Sequence, residues 1–288
     1  ADHSVYNIDC LNYCANVANV NPHERYHFIK GSICDKDLVA YLLATYEIDT
    51  VVHFAARTHV DDSFDMSLQY THDNVVGTHV LLQASKEYGK LRRFVHFSTD
   101  EVYGGVSEHH PGCLEQSILN PTNPYAATKA AAEMLVTSYH HSFALPVVII
   151  RCNNVYGPRQ YPEKLIPRFI QLLREGKRLT IHGTGDTRRN FIWVDDVVRA
   201  TELIMDRGVL GDIYNIGTAQ EYSVMDVARL LVQEMTSDKI LDNHIVHVAD
   251  RPFNDFRYKL NVDKLLALGW AERDADFTTN VRRLISLG

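Results

Sequence analysis

Short apolar runs alternate with longer amphipathic stretches along the first half of the chain. Ser4 to Ile8, Tyr26 to Ile29, Thr50 to Phe54, Phe94 to Phe97 and Val147 to Ile150 are rich in branched and aromatic residues. Runs of this length and composition read as strands of a parallel sheet buried on both faces. Between them lie helical patterns. A polar, helix-like segment follows the first run to Asn19, Asp35 N-caps a helix towards Tyr46, a long pattern fills Ser67 to Tyr88, and another runs from Tyr125 to about Phe143. Strand and helix in strict alternation predict an α/β fold with a parallel, doubly wound sheet.

After Arg151 the composition changes. Gly157-Pro158, Pro162 and Pro167 punctuate a stretch that leads into a helix over Leu165 to Glu175. The loop His182-Gly183-Thr184-Gly185-Asp186 and the pair Arg188-Arg189 follow. Tyr214 to Gly217 and Ile245 to Val248 read as short strands, and Ser223 caps a helix to Met235. We therefore expect two units, a sheet domain over residues 1–152 and a smaller lobe over residues 153–288, with some later segments returning to the sheet. The run from Asp250 to Tyr258 is a dense polar-aromatic loop. Several arginines around one cleft suit a diphosphate, because the guanidinium fork matches phosphate oxygens, while surface ion pairing is the plain alternative.

Open α/β sheets keep their ligands at the C-terminal ends of their strands. Two sets of residues fall there. Ser98-Thr99-Asp100-Glu101-Val102-Tyr103-Gly104 places a hydroxyl and two adjacent carboxylates at the end of the Phe94 run. Tyr125-x-x-x-Lys129 then puts a phenol and an ammonium one turn apart on a helix face. A lysine cation beside a tyrosine favours the phenolate, which can take a proton from an alcohol. Adjacent carboxylates are expected to push their pKa values apart, leaving one protonated near neutral pH. Asp9 ends the first run, where an acidic residue can take ribose hydroxyls; a plain turn residue is the alternative. A dinucleotide-binding sheet normally begins with a strand, a glycine-rich turn and a helix. This chain opens on what reads as the second strand, so we expect the first strand and its glycine loop to lie outside it.

Composition excludes several classes. Of 288 residues, 45% are hydrophobic and 23% charged, as in ordinary globular proteins, and no apolar run nears the length of a membrane span. We expect no signal peptide. A net charge of −7 argues against a nucleic-acid partner. The five cysteines (Cys10, Cys14, Cys34, Cys113 and Cys152) are scattered without zinc-site spacing, and none of the fifteen histidines falls in a ligand pattern. We expect a cytoplasmic protein with reduced thiols, no metal and no membrane partner.

With the Ser98 to Gly104 stretch and Tyr125-x-x-x-Lys129, the sequence resembles the extended short-chain dehydrogenase/reductase superfamily, and within it the nucleotide-sugar 4,6-dehydratases of the dTDP-glucose or UDP-glucose type. The likeness covers nearly the whole chain. It includes His53 to Asp61, Asn154-Val155-Tyr156-Gly157-Pro158, Pro162 to Pro167, Tyr214 to Gly217 and Asp250-Arg251-Pro252. Its most specific feature is Asp100-Glu101 after Thr99. The resemblance implies a Rossmann-like sheet, NAD as cofactor and a nucleotide-sugar substrate; the two long helices, Ser67 to Tyr88 and Tyr125 to Phe143, are expected to pair with their copies as a four-helix homodimer interface. It implies Tyr125 as base with Lys129 as its ribose-bound partner, Thr99 on the sugar 4-hydroxyl, Glu101 on the C5 proton and Asp100 on the departing 6-hydroxyl. Asp9, Ile33, Phe54, Ala55, Ala56 and Val155 match positions lining NAD. Thr58, Asn154, Lys164, Leu165, Arg189, Asn215, Asp250, Arg251 and Asn254 match positions holding the nucleotide sugar. Ser32 and Cys10 depart from the pattern, standing where an acid and a lysine are usual. The alternatives are a 4-epimerase or a decarboxylase on the same scaffold, or a catalytically inactive sugar-nucleotide binder.

Overall fold

Strand Val147–Cys152 is buried at every position and forms the spine of the molecule. The computed structural model describes residues 3–250 and 253–287. In chain order the first half contains β1 (Val5–Asp9), β2 (Tyr26–Lys30), α1 (Lys36–Thr45), β3 (Thr50–His53), α2 (Val60–Asp65) and α3 (Ser67–Tyr70). A π turn over Thr71–Val76 leads into α4 (Gly77–Tyr88), then β4 (Arg93–Thr99), α5 (Pro124–Phe143) and β5 (Val147–Cys152). The second half adds β6 (Asn154–Tyr156), α6 (Leu165–Arg174), β7 (Leu179–His182), β8 (Arg188–Trp193), α7 (Val194–Arg207) and β9 (Ile213–Ile216). It closes with β10 (Glu221–Ser223), α8 (Val224–Met235), β11 (Ile245–Val248), α9 (Asp263–Ala267) and α10 (Phe277–Ser286).

The main sheet is parallel, in the order β3-β4-β5-β9. Alternate side chains on each strand point to opposite faces, so one strand feeds two cores. Phe94, Val147 and Ile149 pack with Val39, Leu81, Leu82 and Val136 of α1, α4 and α5. Val95, Val148 and Ile150 pack with Val197, Ala200 and Ile204 of α7 and with Leu265 of α9. Helices on both faces are what a doubly wound Rossmann-like sheet requires. A third core around Tyr156, Phe169, Phe191, Trp193, Leu231 and Phe277 holds the smaller sheets, β10-β8-β6 and β11-β7, against α6, α8 and α10.

The structure differs from the expected single sheet on one side. β1 and β2 form their own parallel pair, and among the described residues no ladder joins β1 to β3. Parallel strands are normally covered on both faces, yet Val5, Phe28 and Phe54 are exposed here. The segment after β1 is also not the expected helix. Asn12 and Asn16 side chains accept from the backbone N–H groups of Tyr13 and Ala18, which stabilises turns in place of an α-helical ladder. Only one 3-10 turn, Val17–Asn19, forms. The single long pattern over Ser67 to Tyr88 is interrupted by the π turn, and the loop after His182 joins two strands, β7 before it and β8, which takes up Arg188-Arg189. Among the described residues, no helix is long and apolar enough to cross a membrane.

One buried ion pair ties the two faces of the spine. Arg151 of β5 meets Glu133 of α5, with Nη2 at 2.6 Å from Oε2 and Nε at 3.1 Å from both oxygens. Arg151 also donates to the Tyr103 hydroxyl at 2.8 Å and to the Glu115 carbonyl at 2.9 Å. Removing one member of such a pair leaves a buried charge without its partner. We predict that Arg151→Met lowers unfolding free energy by about 3–5 kcal/mol and that Arg151→Met with Glu133→Leu recovers most of the loss. Urea titration measures both; a single-variant loss below about 1 kcal/mol contradicts this account.

Candidate active site

β4 ends at Thr99, and the chain then turns through one 3-10 turn, Asp100–Tyr103. Thr99 caps that turn by accepting from the Glu101 N–H at 3.3 Å, and its hydroxyl lies 3.2 Å from Asp100 Oδ1. Two asparagines hold the carboxylates from opposite sides. Asn153, between β5 and β6, donates to Asp100 Oδ2 at 2.7 Å, and Asn123 donates to Glu101 Oε2 at 2.9 Å. Asn123 is also the N-cap of α5, accepting from Ala126 N–H at 2.8 Å, with Pro124 pre-set behind it. The cap that starts the Tyr125 helix therefore grips the acid pair.

Burial dominates the electrostatics. Asp100 is 3% exposed, and desolvation followed by the Glu101 charge pushes its pKa up to about 7, against the Asn153 bond and the Arg189 cation. Desolvation also raises Glu101, opposed mainly by Asn123. Both acids are thus held above the ordinary carboxylate range, Asp100 at about 7. Lys129 is 4% exposed, donates to the Phe97 carbonyl at 2.6 Å, and is lowered by burial to about 8. Tyr125 is raised, first by burial and then by Glu101, with a Thr99 hydrogen bond opposing. This corrects the expectation that Lys129 lowers the phenol: here Lys129 turns to a backbone carbonyl, and burial with the neighbouring carboxylates prevails. His53 and His96 lie buried nearby and are held neutral by desolvation and by Lys129, His53 at about 3.

The remaining sequence candidates fall into two rims. Asp9 ends β1, accepting from Leu11 N–H at 2.7 Å. Phe54, 60% exposed at the end of β3, stacks 4.1 Å from Phe97, with Ala55 and Ala56 beyond it. Ile33 packs where a Cβ on Gly77 would lie 2.6 Å from its Cδ1. On the other rim Lys164 donates to the Thr58 carbonyl at 2.9 Å, and Leu165 begins α6 beside it. Arg189 reaches the Asp255 carbonyl at 3.0 Å and Asn254 Oδ1 at 3.1 Å, and lies over the Tyr258 ring at 4.6 Å. Asn254 in turn reaches Asp250 Oδ1 at 3.4 Å. Asn154 and Val155 lie on β6, half-buried. Arg251 lies outside the described residues.

Asn215 needs a correction. Expected on the substrate, it is fully buried: its Nδ2 donates to the Cys113 and Asn261 carbonyls and its Oδ1 accepts from Tyr103. It braces the floor under the acid pair. Conversely, Asn123, Asn153 and Tyr258 were not singled out from sequence. Asn123-Pro124 carries a readable cap signal, whereas nothing marks Asn153 over its neighbour Asn154 except which one the strand end turns inward. Tyr258 donates to Asp255 Oδ2 at 2.7 Å and lies 3.5 Å from Glu101 Oε2.

The residues present fit the ribose and nicotinamide regions of a dinucleotide. Lys129 is a buried ammonium with three donors and one hydrogen-bond acceptor among the described residues, which suits a ribose diol, and Phe54 offers an open apolar wall. One described cluster, Cys34, His72 and Asp73, has ligand atoms close enough for a metal. Its carboxylate is already used by Arg57 at 2.5 Å and Gln69 at 2.9 Å, so a ready metal centre is not formed.

A Rossmann-like sheet with a Tyr-Lys helix beside the strand ends marks the extended short-chain dehydrogenase/reductase class. The chain belongs to the GDP-mannose 4,6 dehydratase family, whose model matches residues 1–283. It is 51% identical over 276 residues to the trifunctional UDP-glucose 4,6-dehydratase/UDP-4-keto-6-deoxy-D-glucose 3,5-epimerase/UDP-4-keto-L-rhamnose-reductase of Arabidopsis thaliana. That match covers 94% of this chain but only 41% of the plant protein's length. The dTDP-D-glucose 4,6-dehydratase of Homo sapiens is 46% identical, over 93% of this chain and 78% of its own. Among solved structures, DesIV (dTDP-glucose 4,6-dehydratase) from Streptomyces venezuelae, with NAD and TYD bound, superposes with a TM-score of 0.93 at 36% identity, covering 99% of this chain and 87% of that one.

Asn123 gives this geometry a direct test. Replacing it with alanine removes the helix cap and the donor to Glu101, so stability should fall by about 1–2 kcal/mol and the Glu101 titration should move up. Asn123→Asp keeps a cap oxygen but faces Glu101 with a second acid, so stability is largely kept while the titration still rises. Thermal unfolding and carboxyl-carbon NMR titration read the two effects; an unmoved Glu101 in both variants contradicts the assignment.

Proposed function

We propose that the chain catalyses NAD-dependent dehydration of a nucleoside-diphosphate glucose to its 4-keto-6-deoxy sugar. The carrying observation is the acid pair: Asp100 and Glu101 are adjacent, raised above the usual carboxylate range, and flank Thr99 beside Tyr125. An epimerase needs one base for one alcohol, whereas elimination of water across C5–C6 needs a carbon base and an acid as well. The dehydratase names of its relatives support the same reading.

The C5 hydrogen of glucose is not acidic until C4 is a ketone. Bound NAD would take hydride from C4 and return it to C6. The rest belongs to the chain's own groups. Thr99 holds the 4-hydroxyl, and Tyr125 accepts its proton as the ketone forms, with Lys129 placing the ribose. Glu101 then takes the C5 proton, and Asp100 gives its proton to the leaving 6-hydroxyl, which departs as water. Glu101 returns a proton to C5 as C6 is reduced, and the Tyr125 proton restores Asp100. Arg189, Lys164, Asp250, Arg251 and Asn254 would hold the diphosphate and nucleoside, with Thr58, Asn154 and Leu165 lining the sugar side. Asp9, Ile33, Phe54, Ala55, Ala56 and Val155 would line the cofactor.

This reading assigns residues 1–152 mainly to cofactor binding and 153–288 mainly to the nucleotide sugar. It takes UDP-glucose as the first substrate to assay, because the 51% identical relative bears that name. We place a homodimer contact on α4 and α5, where Met134 and Phe143 are exposed; sedimentation at micromolar protein giving a monomer would overturn that contact alone.

Incubation with NAD and UDP-glucose or dTDP-glucose should give a product lighter by one water. Unchanged mass, or loss of carbon dioxide from a glucuronate substrate, would overturn the dehydratase reading. Asp100→Asn and Glu101→Gln should each lower kcat by about 10²–10⁴-fold. Because Asp100 must carry a proton and its pKa lies at about 7, kcat should fall as pH rises through that value. Stopped assays from pH 5 to 9 check the sign; a rate still climbing at the alkaline end contradicts Asp100 as the acid.

A further inference from the structure

The acid step needs one particular oxygen of Asp100 to carry the proton, and the surroundings of Asn153 determine which. Asn153 is 3% exposed, and its backbone is tied to the main sheet through its N–H to the Ile216 carbonyl at 2.9 Å. Its side-chain orientation is set by a neighbour that can only donate: the Thr218 N–H points at Asn153 Oδ1 from 3.3 Å. The Thr218 peptide is itself held from its other end, where Asn190, 1% exposed, donates to the Thr218 carbonyl at 3.0 Å. With Oδ1 committed to an N–H, Nδ2 must face Asp100 Oδ2, and it does so at 2.7 Å. Gly217 completes the arrangement, because a Cβ there would collide with Asn153 Oδ1.

We propose that Asn153 is a positioning residue for proton donation: its amide occupies Asp100 Oδ2, leaves Oδ1 as the oxygen that bears the proton, and requires a bare Gly217 to do so. Oδ1 accepts from the Thr99 hydroxyl at 3.2 Å, on the side where the proposed function places the sugar; a hydroxyl can turn to accept from a protonated Oδ1, whereas the Asn153 amide on Oδ2 can only donate. The inference rests on that function for its catalytic meaning but on the hydrogen-bond geometry for its existence. Other groups also face Asp100: Glu101 on its own turn, Tyr125 of α5, Arg189 of β8, Cys152 of β5 and Cys113 in the loop before α5. None of these donates an amide N–H to Oδ2, so removing Asn153 removes a distinct contribution. A hydrogen bond to the charged form favours that form, so its loss moves the Asp100 titration upward.

The test uses the full chain labelled at aspartate carboxyl carbons, with the Asp100 signal assigned by its absence in Asp100→Asn. Asn153→Leu, which keeps volume and removes the donor, should raise the Asp100 midpoint by about one to two units. Gly217→Ala, which displaces the amide while leaving Asn153 in place, should raise it in the same direction and carries the test if the leucine variant fails to fold. In pH–rate profiles the alkaline limb should move up with the midpoint, and kcat measured at its new optimum should fall about tenfold with KM unchanged. Unshifted Asp100 signals in folded variants overturn the inference whatever the activity. A shifted signal in a chain that dehydrates no nucleotide sugar overturns the functional reading and leaves the positioning intact.

Discussion

Two adjacent carboxylates at one strand end are the constraint around which the site is built. Taking either out of water is unfavourable, and placing them side by side adds repulsion, so the turn from Asp100 to Tyr103 persists only because its surroundings offset that penalty. Asn153 and Asn123 supply one donor to each acid. Tyr103, at the far end of the same turn, is locked by Arg151 and Asn215. Arg151 in turn is neutralised by Glu133, which lies one helical turn beyond Lys129 on α5. The acid pair and the Tyr-Lys helix are thereby mounted on one buried polar network.

The cost of that arrangement is visible in the protonation states. Burial raises Asp100 and Glu101 and lowers Lys129. Tyr125 is pushed up as well, first by burial and then by the two carboxylates a phenolate would face. A phenol in that environment stays protonated until positive charge arrives nearby, whereas a carboxylic acid in it already holds its proton near neutral pH. This asymmetry suits an order in which alcohol oxidation waits for the bound cofactor and the acid pair is ready beforehand.

The fold was largely legible because parallel strands leave dense apolar runs, and every such run in the first half became a strand, although β1 and β2 are not buried on both faces. Tyr125, Lys129 and Asp35 were readable through spacing and capping. The failures share a cause: local pattern does not report which tertiary partner wins. Asn12 and Asn16 turned a helix-like segment into turns, and a π turn broke the pattern from Ser67 to Tyr88. Asn215 reads as a strand-end polar residue facing a ligand, yet the loop around Cys113 and Asn261 covers it. Asn153 and Asn154 are identical in sequence terms, and only the inward turn after β5 separates a residue gripping Asp100 from its neighbour on β6.

The most direct measurement runs the reaction on UDP-glucose with NAD in deuterium oxide and reads the product by mass spectrometry and NMR. If Glu101 removes the C5 proton, exchanges it with solvent and returns a deuteron while hydride passes internally from C4 to C6, the product is one water lighter and carries one deuterium, at C5. A product of unchanged mass, or a dehydrated sugar with protium at C5, contradicts the roles assigned to the acid pair.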